Sequence, residues 1–264
     1  MLGMLRSIWA YRTFITSSIG NEFRSRFARS KLGGLWMIIN PLVQVAIYAL
    51  ILSNVLAAKL PGIENKYAYA IYLVAGTLGW SLFSEIVGRC LTVFIDQGNL
   101  MKKMRFPKIT LPTIIIGSCL LNNVLLFLSA VIVFLFLGHS LTLAVFWLIP
   151  LVLAIVALAI GIGLLLGVIN VFVRDVGQVV PILLQLMFWF TPVVYPANII
   201  PEEYRSYLIW NPMLPIITSY HDVLVYGTQP DAMSLAYIGF ISILLALVGL
   251  FIFRRASAEM VDVL

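Results

Sequence analysis

Charge is scarce in this sequence. Asp, Glu, Lys and Arg together account for 11% of its 264 residues, while hydrophobic residues reach 62%; an average soluble domain carries roughly 25% charged residues. So little polar surface excludes a water-soluble globule. Cysteine and histidine are scarcer still, at two each. Cys90 and Cys119 lie in apolar stretches without CxxC spacing, which argues against a disulfide or a zinc site. His139 and His221 have no metal-ligand spacing, and His221-Asp222 reads as a chance neighbour pair. No lysine follows a glycine, so the phosphate-binding loop GxxxxGK[ST] cannot occur. If the chain's work consumes ATP, another subunit hydrolyses it. The N-terminus lacks a short apolar segment followed by a small-residue cleavage site, so no cleaved signal peptide is expected. There is no low-complexity tract and no obvious internal repeat, which disfavours an inverted-repeat carrier.

What is present is hydrophobic length. Apolar runs reach the ~18 to 20 residues needed to cross about 30 Å of hydrocarbon. Six spans are expected, at residues 35–58, 69–94, 111–137, 143–172, 179–194 and 235–253. The fifth is short and carries Pro181 and Pro192. It is followed by an apolar patch, 208–220, that is too short to cross and is interrupted by Pro212 and Pro215. Non-helical backbone survives in lipid only where protein or a water-filled cavity satisfies its polar groups, so broken or re-entrant structure is expected between spans five and six. The fold class is therefore an all-α integral membrane protein of six transmembrane helices. An N-terminal amphipathic interface segment (1–34) precedes the membrane domain (35–253), which includes a loop at 96–108 and a re-entrant region at 195–234, and a tail (254–264) follows.

Basic residues set the orientation. Arg6, Arg12, Arg24, Arg26, Arg29, Lys31, Arg89, Lys102, Lys103, Arg105, Lys108, Arg174, Arg254 and Arg255 fall on one side, leaving Lys59, Lys66 and Arg205 of the 17 for the other. Both termini are thus expected in the cytoplasm of a multi-pass inner-membrane protein. The net charge of +6 is accounted for by lipid headgroups at span ends, and no nucleic-acid partner is expected.

Three segments stand out as functional. Before the first span, Ile8, Ile15, Ile19, Phe23 and Phe27 recur at helical spacing, as in a helix lying along the membrane surface. Arg12 and Arg26 interrupt its apolar side, and a plain basic flank is the alternative. In the loop 96–108, Leu100, Met101, Met104 and Phe106 alternate with Lys102, Lys103 and Arg105, which suggests a docking surface or a loop that merely meets lipid and water. Aromatics including Phe188, Trp189, Phe190, Tyr195, Tyr204, Trp210 and Tyr220 gather toward the far side. There they could pack against sugar rings or form an ordinary interfacial belt. Glu85 and Arg89, four apart on a helix, face the same way and can neutralise one another. Arg174-Asp175 reads as an anchor or hinge before span five.

The order of motifs adds to this. The run Arg24-Ser25-Arg26-Phe27-Ala28-Arg29-Ser30-Lys31-Leu32-Gly33-Gly34-Leu35-Trp36 is followed by Pro41. Gly76, Trp80 and Phe83 lead to Asn99-Leu100, Phe106-Pro107 and Pro112. Val173-Arg174-Asp175-Val176 precedes Phe188-Trp189-Phe190-Thr191-Pro192-Val193-Val194-Tyr195, with Asn211-Pro212 beyond. Over essentially its whole length the sequence resembles the membrane permeases of type-2 ABC exporters for O-antigen, capsule and teichoic acid polymers.

That resemblance implies a permease homodimer with two nucleotide-binding ATPase subunits, which hold the ATP and magnesium, so this chain binds no cofactor and is not an enzyme. It implies ATPase docking through Arg24, Arg26, Asn99, Leu100, Lys102, Lys103, Met104, Arg105, Phe106 and Pro107. It also implies a substrate path or gate near Trp36, Trp80, Phe83, Phe188, Trp189, Thr191, Pro192 and Tyr195, and a lipid-linked polysaccharide as cargo. A drug or lipid permease of the same plan, a membrane enzyme acting on lipid-linked sugars, and an ion-coupled carrier are the competing readings. The enzyme would need intramembrane carboxylates or histidines in a shared cavity, and the carrier unpaired acids in mid-span.

Overall fold

Among the described residues, four apolar segments form helices long enough to cross a bilayer, at Ala68–Asp96, Thr110–Phe136, Leu143–Phe172 and Ala232–Ala256. The computed structural model describes residues 2–27, 68–103, 106–196, 210–257 and 259–263, together with positions 36, 39, 43, 47, 203 and 208. The expected first span, 35–58, lies almost wholly outside the described residues. Among those described, the chain is helical throughout: α1 (Leu2–Ala10), α2 (Arg12–Phe27), α3 (Ala68–Asp96), α4 (Gly98–Lys103), α5 (Thr110–Phe136), α6 (Leu148–Phe172, opened by a 3-10 turn at Leu143–Trp147), α7 (Val176–Phe190), α8 (Met213–His221), α9 (Ala232–Ala256) and α10 (Glu259–Val263).

Helix ends follow local chemistry. α5 stops where Gly138 takes φ 72°, a left-handed conformation that costs glycine nothing. The backbone N–H of His139 then donates to Phe134 O at 2.9 Å, closing the wide turn that shields the last carbonyls. Asp231 starts α9 by accepting from the Ser234 N–H at 2.8 Å, and this hydrogen bond holds its carboxyl below the usual aspartate range.

Span five is where the structure differs most from the apolar pattern. The helix is α7, which begins at Val176 and ends at Phe190, earlier at both ends than the expected 179–194. Thr191 is extended (φ −97°, ψ 131°) because Pro192 follows it, and the ring of a proline disfavours helical backbone at the preceding residue. With 15 residues, α7 is about 22 Å long, short of the ~30 Å apolar layer.

Enclosure within the chain does not follow hydropathy. α3 is the least apolar of the four long helices, yet 78% of its most apolar window is buried within the chain, against 17% for α9. A helix surrounded by protein tolerates Tyr69, Tyr72, Glu85 and Arg89, whereas α5, α6 and α9 turn Leu128, Leu153 and Phe251 outward to meet lipid. Close approach of α6 to its neighbours depends on small residues. A Cβ at Gly163 would come within 2.8 Å of Cys90 Cβ on α3, and one at Gly161 would strike the Leu245 backbone of α9. Gly249 of α9 meets the backbone of Gly161 in turn.

Replacing Gly161 by Leu should therefore lower the midpoint of thermal unfolding in detergent, at a cost of about 1–3 kcal/mol, because the obstructing atoms are backbone and cannot swing aside. Gly239→Leu, on the open face of α9 with nothing within 4 Å, should leave the midpoint unchanged.

Candidate functional site

The long helices gather the notable side chains at two ends. At one end the chain brings together α1, α2, the loop after α3, the close of α9 and the tail. Lys108 Nζ donates to the Ser257 carbonyl. Burial lowers the Lys108 pKa, while the nearby Asp262 carboxylate opposes the shift. A cavity of about 420 Å³ there is bordered by Met4, Ser7, Phe106, Pro107, Arg254 and Ser257. The Phe14 ring of α2 lies 6.4 Å from that of Phe106, centroid to centroid, so the N-terminal segment and the loop form one surface. On it Arg24, Lys102 and Lys103 are exposed, Leu100, Phe106 and Pro107 are half-buried, and Met101 turns inward. Asn99 is exposed beside them within α4. Arg26 lies in α2, while Met104 and Arg105 lie outside the described residues.

Beside it α2, α3, α4 and α5 border an open cavity of about 550 Å³, whose lining mixes Phe14, Leu111 and Ile115 with Glu22, Arg89 and Asp96. Arg89 is the cation on its wall. Its Nη1 is 3.8 Å from Glu85 Oε1, the pair expected from their spacing, but its Nη2 is closer to Glu22 Oε1, at 2.7 Å. Asn122 Nδ2 donates to Glu85 at 2.7 Å, and Ser118 Oγ donates to the second oxygen of Glu22 at 2.7 Å. Glu22 is the residue that sequence reasoning missed. The visible signal was the broken amphipathicity of the N-terminal segment: α2 rests on protein along Ile15, Ile19 and Glu22, so its inward face need not be wholly apolar.

At the opposite end, the non-helical stretch 191–195 is held by side chains of α3. Tyr69 donates to Val194 O at 2.7 Å, and Tyr72 donates to Tyr195 O at 3.1 Å and to Pro192 O at 3.5 Å. Tyr72 also stacks on His221 with ring centroids 3.6 Å apart. Thr191 is buried; its hydroxyl donates to Met187 O at 2.7 Å and accepts from Asn211 Nδ2 at 2.7 Å. Gly76 leaves room for this crossing, since a Cβ there would lie 2.8 Å from His221 Nε2 and against Val193 O. His139 and Thr142 tie the neighbouring loop to the carbonyls of Leu224 and Gly227.

The aromatics expected at a path divide into two groups. Phe83 and Trp80 are buried, and the Trp80 indole meets the Phe188 ring edge-on at 5.7 Å, so these pack as core. Trp189 and Trp210 are 59% and 88% exposed, and with Phe190, Tyr195 and Asn211 they border a cavity of about 670 Å³. Trp36 is exposed. Arg174 and Asp175 are exposed in the turn between α6 and α7, where the Asp175 carbonyl accepts from Gln178 and Val179 and starts α7.

Residues 14–225, from the first turn of α2 to the turn after α8, match the family described as ABC-2 type transporter. The chain belongs to that family. This ABC-2 chain is 29% identical over 248 residues to an O-antigen export system permease protein RfbA of Klebsiella pneumoniae, with 92% of each chain covered. It is 29% identical over 264 residues to the RfbA of Myxococcus xanthus, covering 99% of each. Against the polysialic acid transport protein KpsM of Escherichia coli it is 26% identical over 245 residues, covering 90% of this chain and 92% of KpsM. The ABC-2 chain is thus a multi-pass membrane transport subunit, and the matched span holds both the Glu22–Arg89 cluster and the Tyr72-held segment.

Tyr72→Phe removes the hydroxyl that meets two carbonyls of residues 191–195. Leaving buried acceptors unmet costs about 1–3 kcal/mol, so hydrogen–deuterium exchange of peptides spanning 191–196 should rise about tenfold or more, while peptides from α6 stay protected.

Proposed function

We propose that this chain is the permease subunit of an ATP-driven exporter that moves a lipid-linked, O-antigen-type polysaccharide across the bacterial inner membrane, working as a homodimer with two separate ATPase subunits. The observation that carries the reading is likeness over nearly the full length to permeases named for O-antigen export. Both termini lie in the cytoplasm, because the end that gathers α1, α2, α4 and the tail also carries Arg6, Arg12, Arg24, Lys102, Lys103, Arg254 and Arg255 exposed, and basic residues are retained on the cytoplasmic side. The domain plan is an interface segment at 1–34, a six-span membrane unit at 35–253 and a tail at 254–264. Within it, α7 is the fifth span, and α8 with the turn at Asp222–Tyr226 is re-entrant. α8 is nine residues long and buries Met213, Ile216, Ile217 and Tyr220, which supports a helix that enters the membrane without crossing it.

In this mechanism the ATPase subunits, which hold ATP and magnesium, dock on α2 and the loop 96–108 through Arg24, Arg26, Asn99, Leu100, Lys102, Lys103, Met104, Arg105, Phe106 and Pro107. Their closure moves this surface, and the long helices carry the motion to the opposite end. There the glycan passes the exposed rings of Trp189, Tyr195 and Trp210, whose faces suit the CH faces of sugars. Thr191 and Pro192 shape the turn that presents Trp189. Buried Trp80 and Phe83, with half-buried Phe188, support the path from behind. A second reading, export of a capsule-type glycan, is favoured by the likeness to the polysialic acid transport protein.

Phe106→Ala should leave membrane insertion and ATP hydrolysis by the purified complex intact and lower export by about tenfold, within the range of ordinary coupling energies. Surface glycan blotting and phosphate release on the same preparations measure both. Normal export in this variant, or a chain that purifies without any ATPase and still exports, overturns the reading.

A further inference from the structure

α2 is fastened to the long helices in two different ways. Ile19 lies so close over Gly117 of α5 that a Cβ there would collide with its Cδ1. Next to it on the inward face, Glu22 uses one oxygen on Arg89 of α3 and the other on Ser118 of α5, each at 2.7 Å. One side chain therefore joins three helices. The side chains of Glu22, Glu85 and Arg89 are 28–30% exposed, so the cluster is largely withdrawn from water.

We propose that Glu22 is a positioning residue for transport, the pin through which displacement of α2 passes to α3 and α5. Apolar contacts are non-directional and allow one helix to slide over another. A charge-assisted hydrogen bond fixes register, and separating a withdrawn pair strands charge away from water. Arg89 remains 3.8 Å from Glu85, a longer and weaker contact than the one Glu22 makes. Sliding of α2 is therefore opposed at Glu22, while α2 and its attached helices moving as one body is not. The inference rests on the reading above that an ATPase subunit presses on α2 and the adjoining loop.

The test uses the complete transporter, purified with its ATPase and reconstituted in proteoliposomes, with ATP turnover and glycan export measured together. Glu22→Gln keeps the shape and removes the charge. It should hold ATP turnover within about twofold and reduce export per ATP by about tenfold, with Glu22→Asp falling between. Ile19→Cys with Gly117→Cys, built into the Glu22→Gln chain, places two thiols where a disulfide can form. Oxidation should restore most of the export per ATP, and reduction should abolish it again.

A purely structural role does not predict that recovery. Glu22→Gln exporting as much per ATP as the unaltered chain overturns the proposal while leaving the parent reading in place. So does an oxidised Cys pair that blocks export in an otherwise unaltered chain, since α2 must then slide on α5. So too does a Glu22→Gln complex that loses folding and is not recovered by the disulfide. An unaltered chain that purifies with no ATPase overturns the parent reading and this proposal with it.

Discussion

Inside a bilayer every backbone N–H and C=O has to find a partner within the protein, and the arrangement of this chain follows from that one requirement. Helices meet it by themselves. The stretch 191–195 does not, because Pro192 ends the helical backbone of α7 at Phe190. Its carbonyls are met by Tyr69 and Tyr72, and its turn is fastened by Thr191 and Asn211. A helix that supplies hydroxyls to a break in its neighbour has to lie beside that neighbour, which is why α3, the least apolar of the long helices, sits inside. α5 and α9 then take the lipid-facing positions that their composition suits.

The same requirement acts on charge. Arg89 and Glu85 toward the C-terminal end of α3 would be costly in hydrocarbon. They are tolerated because α2 and α5 close over them with Glu22, Ser118 and Asn122. The N-terminal segment thus completes the polar interior of the membrane domain instead of floating on the bilayer. The surface formed by α2 with the loop after α3 and the long helices behind it become one connected body. At the other end, packing separates the aromatics: Trp80 and Phe188 join α3 to α7, while Trp189 and Trp210 remain exposed.

Much of this was legible in the residues. Spans at 69–94, 111–137, 143–172 and 235–253 coincide with α3, α5, the 3-10 turn with α6, and α9 to within a few residues, because an apolar run of that length has no other stable setting. Of the prolines read as breaks after span four, Pro192 follows the end of α7 and Pro212 precedes α8, whereas Pro181 and Pro215 lie inside helices. The pairing of Glu85 with Arg89 could be read from their spacing. Glu22 could not, because it lies 67 positions before Arg89, and a carboxylate on a helix face reads as a solvated residue until the facing arginine is placed. The split of the aromatics was equally hidden, since Phe188 and Trp189 are chain neighbours whose rings touch, yet Phe188 also packs on Trp80 while Trp189 stays largely exposed.

Composition and period alone determined that the chain lives in a membrane, how many apolar runs it offers, and which side holds its basic residues. These are properties of transfer from water to lipid, and they add up residue by residue. Tertiary structure decided which helix is enclosed, where α7 stops and what meets the carbonyls after it, and that Glu22 is the closer partner of Arg89. Those outcomes depend on contacts between residues far apart in the chain, and a glycine such as Gly117 or Gly161 states its purpose only when the neighbour pressed against it is known.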